Sequence, residues 1–299
     1  SGFVHTNNPY SSYGYYFLTD RNDTVKSMAI QASEAGASLQ LSTFNDYKLW
    51  EKEIVSVNSS GRELYGESFE TTLSQNFKVS VPGITNDMGL ATLSFIAKPT
   101  SGTGTTVMSI DGKQVISGIF AQNTSEYTMA RELNQTVTWN GDKSENTVVN
   151  IQYSTAGHKN VRLNYFCLQM LRTLKLYDAY TLFRNISSIG NTSRFVIQNA
   201  TSGLLVFDVT DAVNPKLMET SLSGTDLSFS IPASSTLREF AVVDPLKLSA
   251  PEVVGDVTNQ NLHAMTQQDM IILAQSAFAE QAERLAKIHR SHDNLSVQV

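Results

Sequence analysis

"TTVMSIDGKQVISGIF", Thr105 to Phe120, decides the fold class. Two runs rich in β-branched and apolar residues flank Asp111-Gly112. An Asp-Gly pair in that setting is the strongest short hairpin signal, because a type I′ turn needs positive φ at both central positions. A lone hairpin is only marginally stable in water, so further strands are required. The flanking sequence supplies them. Upstream lie "EIVSV" (Glu53–Val57) before the turn "NSSG", "FKVSV" ending at Pro82-Gly83, and "LATLSFIA" ending before Pro99. Downstream lie "TVTW" and "TVVNIQY", with Asn140-Gly141 between them. "TLFRNI", "RFVIQNA", "LLVFDVT", "KLMET", "LSFSI" and "REFAVV" come later. Short strands spaced about 8–12 residues apart, with turn signals between, predict an antiparallel β-sandwich, jelly-roll-like.

"VRLNYFCLQM" (Val161–Met170) predicts an interior strand of that sandwich. On strict alternation Val161, Leu163, Tyr165 and Cys167 share one face. Arg162, Asn164, Phe166 and Leu168 share the other. Apolar groups on both faces imply cover on both. Nearer the start, "YGYYFLT" (Tyr13–Thr19) is aromatic and strand-like, and "DRND" (Asp20–Asp23) reads as a turn. "SMAIQASEAGASLQL" (Ser27–Leu41) leaves a short helix and a polar strand open.

The pattern changes after Val243. "DPLKLSAPEVVGDVTNQNLHAMTQQ" has two prolines and little periodicity, and reads as a connector. "MIILA" (Met270–Ala274) is apolar without alternation, which fits a strand of a parallel sheet covered on both faces. Ser276 is placed to cap a helix. Phe278, Ala282, Leu285 and Ala286 make its apolar stripe. Glu280 and Arg284 stand at i, i+4 on the opposite side, and Lys287, His289 and Arg290 suit the negative end of the helix dipole. "LSVQV" returns to strand character, completing a βαβ unit. The expected organisation is an N-terminal strand-containing segment (1–40), a β-sandwich domain (41–248), a connector (249–268) and a first β-α unit of an α/β domain (269–299). A single βαβ unit cannot cover both faces of its own sheet, so more strands are expected beyond it.

Composition limits the chemistry. The 299 residues are 41 % hydrophobic and 17 % charged, with formal net charge −6. Lys/Arg clusters are missing, which argues against nucleic acid, whose phosphates require concentrated positive charge. The one cysteine, Cys167, excludes an internal disulfide. No apolar run approaches the ~20 residues of a membrane span, and the first residues do not read as a signal peptide.

Candidate reactive groups are few. Cys167 lies in an apolar strand, where a small buried hydrophobe is the usual occupant; pairing with His158 is the only local route to a thiolate. His289 and His292 have i, i+3 spacing but need further ligands to hold a metal. Asp208 with Asp211, and Asp20 with Asp23, supply too few oxygens for calcium and read as turns. No catalytic, metal or cofactor site emerges.

"GRELYGESF" (Gly61–Phe69), "QNLHAM" (Gln260–Met265) and "DMIILAQSAFAEQAERLAKIHR" (Asp269–Arg290) resemble gingipain-type cysteine peptidases. "NNPYSSYGYYFLTDR" and "LREFAVVD" are similar to the same family. The resemblance implies a caspase-like α/β peptidase domain whose catalytic His and Cys lie on later strands than this sequence contains. It implies a parent that is the cell-surface sortase of the type IX secretion system of a Bacteroidetes-type bacterium. Such a sortase removes C-terminal sorting domains from secreted cargo and joins the cargo to anionic lipopolysaccharide. This chain would be its non-catalytic β-rich N-terminal portion, inactive alone and requiring no cofactor. Its implied partners are its own C-terminal peptidase domain, an outer-membrane β-barrel tether and the cargo. Arg62, Glu63, Gln260, Asn261 and His263 are the residues expected to dock it onto the catalytic part. The alternative is a secreted carbohydrate-binding or adhesive β-sandwich protein.

Overall fold

The computed structural model describes residues 13–18, 24, 27–57, 59, 63–257 and 261–299. Within them the chain forms β1 (Ala29–Gln31), β2 (Leu39–Leu41), β3 (Thr43–Glu51), β4 (Ser74–Ser80), β5 (Gly89–Ser101), β6 (Gly104–Ile110), β7 (Lys113–Phe120), β8 (Arg131–Trp139), β9 (Asn146–Ser154) and β10 (Gly157–Thr173). Shorter strands follow: β11 (Tyr180–Phe183), β12 (Ser193–Ile197), β13 (Leu205–Asp208), β14 (Lys216–Met218), β15 (Ser221–Ser223), β16 (Asp226–Ile231) and β17 (Phe240–Val243). Beyond them lie β18 (Met270–Ile271), helix α1 (Ala279–His292) and β19 (Val297–Gln298). The fold is mainly β and mostly antiparallel, as the strand pattern predicts. It divides into compact units Ser1–Leu248 and Ser249–Val299.

The first unit holds two cores. Sheets β3-β10-β5-β8 and β4-β9-β6-β7 enclose one, centred on Leu93, Phe95, Met108, Ile151 and Phe166. Sheets β1-β14-β13-β17-β11 and β15-β16-β12-β2 enclose the other, built around Phe183, Phe195, Phe229 and Phe240. Centroids of these four rings lie 5.1 to 6.2 Å apart, in the range where aromatic pairs add about 0.5–1.5 kcal/mol beyond burial. The Asp111-Gly112 hairpin forms as expected, with φ 48° and 77° and Ile110 opposite Lys113.

Arg172, at the end of β10, links the two cores. Its guanidinium donates to the Pro82 carbonyl (2.8 Å) and to Asp46 Oδ2 (2.5 Å). The same group lies 3.9 Å from the centroid of Tyr177 and 5.4 Å from that of Phe44. Gly83, beside Pro82, has φ 73°, and a Cβ there would lie 1.9 Å from the Tyr177 hydroxyl. Glycine is required on both counts.

Several local expectations are corrected. The alternation of Val161–Met170 breaks at a bulge between Leu163 and Tyr165. An extra residue shifts every later side chain to the other face, so Phe166 and Leu168 join Val161 and Leu163 in one core. β5 does not end before Pro99 but runs through it. Its pairing with β8 stops at Ala97, which leaves one side of Pro99 without a ladder, where the missing N–H costs nothing. Asn140-Gly141 makes no hairpin; it carries the chain from one sheet to the other. "EIVSV" is reduced to a single bridge between Val55 and Tyr65. Among the described residues Tyr13 to Leu18 form no strand, and Tyr16 and Leu18 are each 94 % exposed. Ser27–Leu41 resolves into two edge strands in parallel pairs, β1 with β14 and β2 with β12. The turns assigned to "DRND" and "NSSG" fall largely outside the described residues.

In the second unit β18 and β19 pair in parallel, Met270 opposite Val297 and Ile271 opposite Gln298, with α1 as the crossover. Ala282, Ala286 and Val297 are buried. Phe278 and Leu285, expected in the same stripe, are exposed, because contact with a two-residue strand is too narrow to cover them. Ser276 does not cap α1; it opens a 3-10 turn, Ser276–Phe278, and α1 begins without a side-chain cap. Arg290 pairs with Glu283 and donates to the Val297 carbonyl, tying the end of the helix to β19.

Candidate functional site

The expected docking residues occupy two separate places, and Arg62 and Gln260 lie outside the described residues. Glu63 sits two residues before Tyr65, whose backbone pairs with Val55. The Tyr65 hydroxyl donates to Glu63 Oε2 at 2.9 Å. Burial, and then the Glu63 carboxylate, push the Tyr65 phenol far above its ordinary value, so this tyrosine is a donor and not a base. Gly66 follows because a Cβ would lie 3.0 Å from the Lys52 carbonyl oxygen. Its own carbonyl accepts from Arg162 at 3.1 Å. Glu67 forms an ion pair with Lys52 Nζ at 3.0 Å and accepts from Trp50 Nε1 at 3.1 Å. Residues 63–67 thus build a hydrogen-bonded wall in which Glu63 is the exposed carboxylate.

Asn261 and His263 belong to a 3-10 turn, Leu262–Ala264, which Asn261 opens with φ 45°. His263 and Leu262 are exposed. Asparagine tolerates this left-handed conformation better than most residues, which gives the motif a backbone role.

The thiol is inert in this fold. Cys167 is fully buried in β10, and burial pushes its pKa up to about 12, so the nucleophilic thiolate is suppressed. His158 lies nine positions away on the same strand, about 30 Å at the usual rise per residue. Its Nε2 is bonded to the Glu70 carbonyl at 2.8 Å. No imidazole reaches the sulfur from there.

His289 and His292 both turn Nδ1 toward Asp293, at 2.6 and 2.8 Å. Among the described residues no group of three or more His, Cys, Asp or Glu is arranged to hold a metal. Asp211 accepts from the backbone of Val213 and the amide of Asn214, a turn as expected. Asp208 does more. Its Oδ1 accepts from the backbone and hydroxyl of Thr210, and its Oδ2 pairs with Arg238, which also reaches Gln31. Burial favours the neutral acid, but the bonds from Thr210 and Arg238 outweigh it and hold the pKa below the ordinary value. Sequence reading missed this pair, and Arg172 with it, because their partners are remote in the chain.

No family model and no curated protein matches the chain. Among solved structures, dimeric latent PorU from Porphyromonas gingivalis matches with TM-score 0.78 and 27 % identity, over 91 % of this chain. The fold is PorU-like. The chain spans 27 % of the length of that PorU chain. A family 35 carbohydrate-binding module from Clostridium thermocellum aligns with 45 % of this chain and 98 % of its own, at TM-score 0.25 and 13 % identity. That score carries no argument. No helix among the described residues is long and apolar enough to cross a membrane.

Proposed function

We propose that this chain is a non-catalytic, β-rich portion of a PorU-like sortase, a gingipain-type cysteine endopeptidase of the type IX secretion system. The parent removes C-terminal sorting domains from secreted cargo and attaches the cargo to anionic lipopolysaccharide at the cell surface. The observation that carries this reading is the PorU likeness, which extends over 91 % of the chain. The buried, proton-bearing Cys167 supports the non-catalytic part of it.

In this reading the β-rich region supports and orients the catalytic part, and an outer-membrane β-barrel and the cargo are its further partners. Arg62, Glu63, Gln260, Asn261 and His263 contribute contacts to the catalytic part. The test uses the chain alone and the full parent. The chain should release no product from peptides spanning a sorting-domain junction, with or without reductant, and Cys167→Ser should change nothing. Deleting the segment from the parent should leave cargo unprocessed at the cell surface. Thiol-dependent cleavage by the chain, or normal cargo processing without it, would overturn the proposal.

A further inference from the structure

The geometry points to a binding pocket for a small hydroxylated carboxylate, of the uronate class, on the outer face of the β15-β16-β12-β2 sheet. The inference stands apart from the sortase reading. Leu227, Phe229 and Ile231 of β16 face the second core. Ser228 and Ser230 alternate with them and point to the other side. An outward face should be wet, yet Ser228 is 5 % and Ser230 6 % exposed. The segment following β1 covers them. β15 ends its pairing opposite Ser228. Beyond that point the segment takes over: the Ser230 backbone N–H donates to Ser33 Oγ at 2.9 Å, and Glu34 N–H donates to the Ser230 carbonyl at 3.2 Å.

The cover leaves a cavity of about 400 Å³, enough for one monosaccharide by the usual size of ligand sites. Its functional groups are Ser33, Glu34, Gln40, Arg194, Ser221 and Ser230. Arg194 spends one N–H on Ser228 Oγ, at 2.9 Å, and no carboxylate pairs with it among the described residues. That bond fixes the fork and leaves the remaining donors for an anion. A carboxylate is the group that a guanidinium holds in two parallel bonds. Ser230 Oγ and the Ser33 O–H add further hydroxyl chemistry. The Glu34 carboxylate is an acceptor only, so it selects ligand hydroxyls. Among the described residues no aromatic ring lines the cavity. Neutral sugars therefore lack a stacking surface there, and the charge must supply the affinity.

The test is NMR titration of the whole chain with glucuronate, methyl glucoside and acetate. Glucuronate should produce saturable shifts at Gly36 and Ser230, with Kd on the order of 1 mM, the strength of one anchored ion pair and a few hydroxyl bonds. Methyl glucoside, which lacks the carboxylate, and acetate, which lacks the hydroxyls, should each bind about tenfold more weakly. Arg194→Gln should weaken glucuronate about tenfold and leave methyl glucoside unchanged. If that variant fails to fold, Ser230→Ala should weaken glucuronate about threefold. The proposal falls if no saturation is seen by about 50 mM, if methyl glucoside binds as tightly as glucuronate, or if the folded variant binds like the wild type.

Discussion

The two compact units treat apolar surface in opposite ways. Ser1–Leu248 closes two pairs of sheets over aromatic cores, in which Phe95, Phe166 and Phe229 are essentially inaccessible. Ser249–Val299 buries little: Ile271 is 69 %, Leu273 98 %, Phe278 63 % and Ile288 58 % exposed. Antiparallel sheets can satisfy themselves by facing one another, while a parallel pair needs cover on both faces. One helix packs on β18 and β19, and it contributes little more than Ala282 and Ala286 to the contact. Stability in this chain should therefore reside almost wholly in the first unit.

Truncating the core of that unit gives the sharpest measure. Phe166 is fully buried, stacked on Trp50 at 6.0 Å and edge-on to Phe77 at 5.4 Å. Phe166→Ala should cost about 3–5 kcal/mol in denaturant unfolding, from lost transfer energy and the cavity left behind. A loss under about 1 kcal/mol would mean that the first core is loosely packed, and the contrast between the units would dissolve.

A somewhat smaller loss is expected at Asp208. Asp208→Asn leaves the Arg238 guanidinium buried without its charge partner, which costs about 3 kcal/mol. The pH dependence has a definite sign. The Asp208 pKa is depressed by folding, so its stabilisation is complete above the ordinary carboxylate value of about 3.9 and is lost as pH falls through the lower folded value. Urea midpoints of wild type and variant should differ by a constant amount from pH 7 to 5 and converge in acid. A difference that persists unchanged at the lowest pH would assign the effect to packing.

What was legible beforehand follows the range of each signal. The Asp111-Gly112 turn is dictated by two residues and formed as expected. The crossover from Met270 to Gln298 is encoded within one helix and its flanks, and it too was readable. The bulge at Leu163–Tyr165 depends on how β10 meets β5, and no residue within β10 announces it. Division of the strands between two cores depends on pairings across the whole first unit. Arg172 has no local signature, because its acceptors Pro82 and Asp46 lie 90 and 126 residues away in sequence. Of the candidate docking residues, Glu63 acquired a defined partner in Tyr65, and Asn261 a backbone role.

The smallest expected effect tests the second unit. Leu273 is nearly fully exposed, so Leu273→Ser should change the stability of this chain by less than about 0.5 kcal/mol. In a PorU-like parent, further strands of the peptidase domain would lie against "MIILA", and the same side chain would be buried. The substitution should then cost about 2 kcal/mol, the transfer energy of a leucine side chain. The comparison of one substitution in two contexts separates an apolar face that is ordinarily covered from one that simply tolerates water. Equal and negligible costs in both would leave the exposed strand unexplained and remove the physical reason for assigning this unit to a larger α/β domain.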